Sequence, residues 1–206
     1  GYNYSYDVLN AKYFGVPQNR ERLFIIAWYR DLIDKEEFKF PHGISPDGET
    51  IYDLTKDMMD RVIQTKVSDI FEPDESIDPS FTISDKMWIG HQNRKKRNLE
   101  NGKGFGYSLF TKDSIYVNTI SARYWKDGSE ILIDQTDKGL NPRTLTPVEA
   151  GRLQGYYIKG NGWRNKAHVP EDGEIEYHIA VTKKEAYHQF GNSVAVPVIK
   201  RIAAEI

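Results

Sequence analysis

The chain has 206 residues, with 39% hydrophobic and 13% aromatic residues, enough for one domain or two small ones with a packed core. It holds no cysteine, so these residues supply no disulfide, no thiolate metal site and no cysteine nucleophile. No apolar run reaches the ~18 residues a membrane span needs, and no secretory signal pattern is visible, so the expected partners include no membrane and the expected location is the cytoplasm.

The net charge of −2 conceals a strong polarity along the chain. Residues 31–85 carry 5 Lys/Arg against 15 Asp/Glu, a local sum of −10, whereas residues 86–126 carry 9 against 2, a sum of +7. Local field, not whole-chain charge, governs phosphate binding, so the second segment is a candidate DNA contact.

Tyr4 to Asn10 alternates and is rich in Tyr and Val, which predicts a strand. Phe14-Gly15-Val16-Pro17 ends it, and the continuous apolar run Leu23 to Trp28 predicts a neighbouring strand buried on both faces. Gln18, Arg20 and Arg22 stand at alternate positions between them. In an extended backbone they point the same way, and two guanidiniums on one face form a fork for a phosphate or a carbonyl oxygen gaining charge. The alternative is surface arginines pairing locally with Glu21.

Residues 31–64 read as an acidic, proline-interrupted linker with a short helix within Tyr52–Ile63, and Thr65 to Phe71 as the entry to a new domain. Arg94-Lys95-Lys96-Arg97 followed by Gly102, Gly104 and Gly106 reads as a basic, glycine-rich loop, either one that tracks a DNA backbone or one that is simply mobile. Ile115 to Tyr124 predicts a strand, and Asp127-Gly128 before Ile131-Leu132-Ile133 predicts a hairpin presenting Lys112, Arg123 and Lys126. Thr146-Pro147-Val148-Glu149 is a capping box with proline at the first helical position, starting a helix that Gly155 ends. Arg143, Glu149 and Arg152 around it read as structural. Thr182-Lys183-Lys184-Glu185 is a second capping box, for a helix that Gly191-Asn192-Ser193 interrupts. A final helix from about Val194–Pro197 is expected to turn Val198, Ile199, Ile202 and Ala203 inward. The histidines, His42, His91, His168, His178 and His188, lack metal-site spacing.

Three strings in this order carry a resemblance: Gly15-Val-Pro-Gln-Asn-Arg-Glu-Arg22, Arg143-Thr-Leu-Thr-Pro-Val-Glu-Ala-Gly-Arg-Leu-Gln-Gly155, and Gln189-Phe-Gly-Asn-Ser-Val194. Together they resemble the last blocks of the DNA (cytosine-5)-methyltransferases. The fold so implied is α/β plus β-rich: final strands and closing helix of a Rossmann-like methyltransferase domain, with a mostly β target recognition domain inserted between them. The implied divisions are 1–30 (end of the catalytic domain), 31–64 (linker), 65–156 (recognition domain) and 157–206 (return to the catalytic domain). Thr119-Ile120 resembles the dipeptide that marks the recognition domain, and its surroundings look most like bacterial methylases of the CCNGG/CCWGG group, as found in restriction-modification systems.

By that resemblance Arg22 faces O2 of the flipped cytosine and the adjacent phosphate, while Arg20 supports the backbone and the catalytic loop. By the same resemblance Asn192 and Ser193 line the S-adenosyl-L-methionine pocket, whereas their residue types alone favour a helix cap. Gln18, Thr119, Ile120, Arg123, Lys126 and Arg94 to Arg97 (Arg94, Lys95, Lys96, Arg97) are the implied contacts to double-stranded DNA. The family's cysteine nucleophile, its assisting glutamate and its glycine-rich cofactor strand belong to blocks absent here. The expectation is therefore a C-terminal piece, excised or one subunit of a split enzyme, inactive without an N-terminal catalytic segment and prone to dimerise through strand edges. A stand-alone DNA-recognition module is the alternative.

Overall fold

The computed structural model describes residues 1–32, 36–158 and 177–206. His168 and most of the polar stretch after the second string lie outside them. Among the described residues no helix is long and apolar enough to cross a membrane.

The chain opens with a two-stranded antiparallel ribbon. β1 (Tyr2–Asn10) pairs with β2 (Glu21–Tyr29) in an unbroken register from Tyr2 opposite Tyr29 to Asn10 opposite Glu21. A 3-10 turn, Ala11–Phe14, leaves β1 and ends at Gly15 in the left-handed conformation, φ 83°. The Asn10 side chain closes this corner by accepting from the backbone N–H groups of Lys12 and Arg20. β2 does not have two buried faces. Tyr2, Tyr4, Tyr6 and Val8 of β1 and Leu23 and Ile25 of β2 share an open face, with Tyr6 66% exposed and Ile25 62%. The period of two sends alternate residues of the apolar run to opposite sides, and only one side meets protein here.

That covered side is closed by the far end of the chain. Leu9, Phe14, Val16 and Trp28 pack with Phe38, Phe40 and Ile44, and with Ala195, Val198 and Ile202. The last two belong to α4 (Val196–Ala204), whose Pro197 sits in its first turn, where a missing N–H costs nothing. Ile199 and Ala203, expected inward, are exposed, because the helix lays only its Val198/Ile202 stripe on the ribbon. Each of those two side chains contributes roughly 1.5–3 kcal/mol by burial. A short pair, β3 (Gly43–Ile44) with β4 (Thr50–Ile51), flanks this core, and the helix expected within Tyr52–Ile63 is the 3-10 segment Lys56–Arg61.

A second core draws on Val67 to Phe190: Val67, Ile70, Val117, Ile120, Tyr124, Ile131, Leu145, Leu153, Tyr187 and Phe190 among others. This region is not mostly β. The basic run is helical, within α1 (Asp85–Glu100), whose N-cap Ser84 accepts from the N–H of Met87. Ile115 to Tyr124 forms no strand; its pairing is a single parallel bridge between Val117 and Gln18. The expected hairpin is also absent: β6 (Leu132–Ile133) runs parallel to β5 (Leu109–Phe110). These residues are β-prone because they pack sideways on a core, and tertiary contact overrides the local preference.

Both capping boxes form. Thr146 starts α2 (Pro147–Leu153) and Thr182 starts α3 (Lys183–Asn192). α3 runs through Gly191 and Asn192 and breaks only at Ser193, later than the composition implied. Beneath α2 the Arg143 guanidinium grips Glu149 with two bonds, 2.7 and 2.9 Å, both side chains almost fully buried. Arg152 donates to the carbonyls of Ile70 and Phe71.

Gly191 is required by a close approach. A Cβ there would stand 2.2 Å from the backbone nitrogen of Ala122 and 2.3 Å from the carbonyl carbon of Ser121, so α3 and the 119–122 segment would have to separate. G191A is expected to cost about 2 kcal/mol or more, read as a lower urea midpoint with an unchanged slope. Breaking the buried pair with R143M, which strands the Glu149 carboxylate, is expected to cost about 3–5 kcal/mol in the same measurement.

Candidate functional site

The segment Pro17–Arg20 passes between the two cores and bonds to both. Its backbone pairs with Val117 through the Asn19 N–H (2.8 Å) and the Pro17 carbonyl (2.9 Å). The Gln18 side chain is fully buried; its amide donates to the Leu153 carbonyl and its oxygen accepts from the Ile120 N–H, both at 3.0 Å. Arg20 is 3% exposed, and its guanidinium donates to the carbonyls of Ile120 (3.1 Å), Gly191 (3.0 Å) and Ser193 (2.6 Å). Burial first, and then the charge of Arg22, pushes the Arg20 pKa down to about 10.

Two expectations change here. Gln18, Arg20 and Arg22 do not form one open fork. The first two turn inward onto backbone groups, because the ends of α2 and α3 and the 117–120 segment line that side, and Arg22 alone reaches solvent. Gln18 and Ile120 are likewise not placed for DNA contact: both are fully buried. Thr119 is half-buried and donates its hydroxyl to the Asn19 carbonyl at 2.7 Å.

Around this knot lie the groups that remain accessible. Arg22, at the start of β2, is exposed and donates to the Glu21 carbonyl. Asn192 is exposed between Gly191 and Ser193, whose carbonyls both accept from Arg20. The half-buried Ser193 has its hydroxyl 2.8 Å from that of Tyr156. Arg20 thus ties down the backbone on both sides of Asn192, and Arg22 lies near enough for its charge to act on the Arg20 guanidinium. Two contributors are not evident from residue type alone. Tyr156 is one. Gln154 is the other: it is fully buried, and its amide donates to the Phe190 carbonyl at 2.7 Å. Its place at the end of the second string was the available signal.

The basic residues divide into engaged and free. Arg94 is held by the Gly106 carbonyl, Asp127 (2.9 Å) and His91, so it braces the end of α1 rather than facing outward. Its neighbours on α1 point away: Lys95 and Lys96 with Arg97 are exposed, and the Lys95 ammonium stands 4.3 Å from the Tyr107 ring centre. Arg123 and Lys126 are exposed on the turn that follows Thr119-Ile120.

Solved structures with the same architecture define the class first. The S. pombe Dnmt2 methyltransferase superposes with a TM-score of 0.59 at 18% identity, covering 100% of this chain and 55% of that one. A DNMT2 variant from Spodoptera frugiperda gives 0.60 at 19% identity, covering 99% and 57%. The fold is that of a methyltransferase. The profile described as C-5 cytosine-specific DNA methylase matches residues 1–206, and the chain belongs to that family. It is 46% identical over 206 residues to the type II methyltransferase M.SsoII of Shigella sonnei, covering all of this chain and 44% of the relative. It is 45% identical to M.NlaX of Neisseria lactamica, covering 100% and 53%. The chain thus spans about half the length of these relatives.

Replacing the Arg20 guanidinium leaves the buried Ile120 and Gly191 carbonyls and the half-buried Ser193 carbonyl without this donor. R20M is expected to lower unfolding free energy by roughly 3 kcal/mol, and to raise amide hydrogen exchange at 119–122 and 191–195 together.

Proposed function

We propose that these residues are the C-terminal part of a bacterial DNA (cytosine-5)-methyltransferase, carrying its DNA-reading region and one wall of its catalytic site. The observation that carries this reading is the seating of Asn192 and Ser193 by the buried Arg20, with accessible Arg22 near enough for its charge to act on it, built from the same strings on which the family resemblance rests. The two cores support a division into a catalytic-domain end, formed by the ribbon with α4, and an inserted recognition region between them. We put the return at Ser193–Ala195 rather than near residue 157, since α3 packs with the second core.

In this reading Arg22 offers an unburied guanidinium to the O2 of an extruded cytosine and the neighbouring phosphate. Asn192 presents a short amide to S-adenosyl-L-methionine, and Ser193 offers its hydroxyl beside Tyr156; accessible, polar and firmly seated, these groups suit the polar parts of such a ligand. The cofactor supplies the methyl group when bound. Arg20 holds the wall in place through its carbonyls. The thiolate that activates C5 by adding to C6 must come from outside these residues, which hold no cysteine. The open apolar face of the ribbon supports a further layer of protein against it. Lys96, Arg97 and Arg123 serve as contacts to the DNA backbone or grooves.

The test is complementation. The chain is mixed with a polypeptide covering the other half of the relatives, and methyl transfer to duplex DNA is measured. Transfer should require both pieces. R22A should lower turnover at least 100-fold, and N192A should chiefly raise the apparent KM for the methyl donor. Salt-sensitive DNA binding without any rescue would instead favour a recognition module, and self-association through the ribbon would favour a dimer.

A further inference from the structure

On the second core, away from the Arg20 knot, a cavity of about 310 Å³ opens between the loop before α1, the 124–128 turn and the start of α3. Phe81, Tyr124 and Trp125 line it with Lys126 and Lys183, and Trp125 is 39% exposed. The Lys184 ammonium stands 4.6 Å and the Lys126 ammonium 5.6 Å from the Trp125 ring centre, and the Lys183 ammonium stands 3.7 Å from that of Phe81. Among the described residues no ion pair engages any of the three lysines. Burial holds the Lys183 pKa below its ordinary value, against the opposing charge of Asp78.

Two features point to an anionic ligand. An ammonium over a ring is oriented by the quadrupole yet keeps its N–H donors free for an acceptor. Since lysines already sit over Trp125 and Phe81, a base has little open ring to stack on. Second, Lys183 and Lys184 are the first two residues of α3, where the helix dipole disfavours cations. Glu185 completes the capping box and feels the Lys184 charge, but among the described residues no salt bridge joins it to either lysine. Two lysines at the unfavourable end of a helix, beside a third from another segment, fit a site retained for binding rather than stability.

We propose that Lys126, Lys183 and Lys184, preset by Trp125 and Phe81, form an anchor for a backbone phosphate of duplex DNA. The proposal rests on reading the chain as DNA-binding. It adds a sequence-independent attachment near Arg123, supplied partly by the first turn of α3.

The test uses the whole chain, with fluorescence anisotropy on two unrelated duplexes across a salt series. K126Q, K183Q and K184Q should each weaken binding several-fold on both duplexes. Each should also reduce the slope of log affinity against log salt by about 0.9 for every phosphate no longer neutralised. K183Q and K184Q should leave the thermal midpoint unchanged or raised. Unchanged slopes for all three, with wild-type binding intact, overturn the anchor and spare the DNA reading. No salt-sensitive binding by the wild-type chain overturns both. A weakening confined to one duplex, or inorganic phosphate binding to the lysines without competing against DNA, also overturns the anchor. If K183Q lowers the midpoint, K183R, which keeps the charge, must restore both slope and affinity for the proposal to stand.

Discussion

A single buried guanidinium holds the two halves of this structure together. Arg20 donates to carbonyls from residues 120, 191 and 193, groups that lie 100 or more positions away in sequence. Each of those carbonyls sits at an end: of the 117–120 segment, or of α3. A helix end and a segment without ladder partners leave acceptors unsatisfied, and one planar cation with several donors answers three of them. The cost is desolvation, visible in the depressed Arg20 pKa. The gain is geometric, because the accessible groups beside Arg20 inherit its fixed position.

The same pattern recurs. Arg94, Arg143 and Arg152 are all turned onto carbonyls or carboxylates within the fold. Lys95, Lys96, Lys126, Lys183 and Lys184 remain at the surface. Arginine forms the internal ties because its donors are fixed in a plane; lysine, a mobile point charge, stays outside. A count of basic residues therefore overstates the DNA-facing charge of the 86–126 segment, since Arg94, one of its nine cations, is engaged internally.

What was legible in the sequence was local. Thr146 and Thr182 announce their helices because a capping box is complete within four residues. The β1–β2 pairing joins neighbouring segments, and its corner is signalled by Gly15 and Pro17. What was not legible depended on distant partners. Gln18 and Arg20 share the alternating pattern of a surface fork, and only the arrival of Ile120, Leu153 and Gly191 turns them inward. Ile115 to Tyr124 is rich in strand formers, yet its neighbours are the Pro17–Asn19 backbone and α3. The glycines after Arg97 hid the helix that carries Arg94–Arg97, although Ser84-Asp85 supplied a start signal. Gly191 reads as a helix breaker, whereas the helix passes through it and the absence of a side chain serves the approach of Ser121 and Ala122.

The first core is assembled from residues 9–44 and from Ala195, Val198 and Ile202, whereas the second is complete by Phe190. Within these residues the order of synthesis therefore differs from the order in which the two cores can be completed. The ribbon precedes the middle region in the sequence, and α4, which follows both, supplies the Val198 and Ile202 side chains that cover it. The first core can therefore close only after every residue of the second has been made, so the α4 contact is the last seal on the ribbon's covered side.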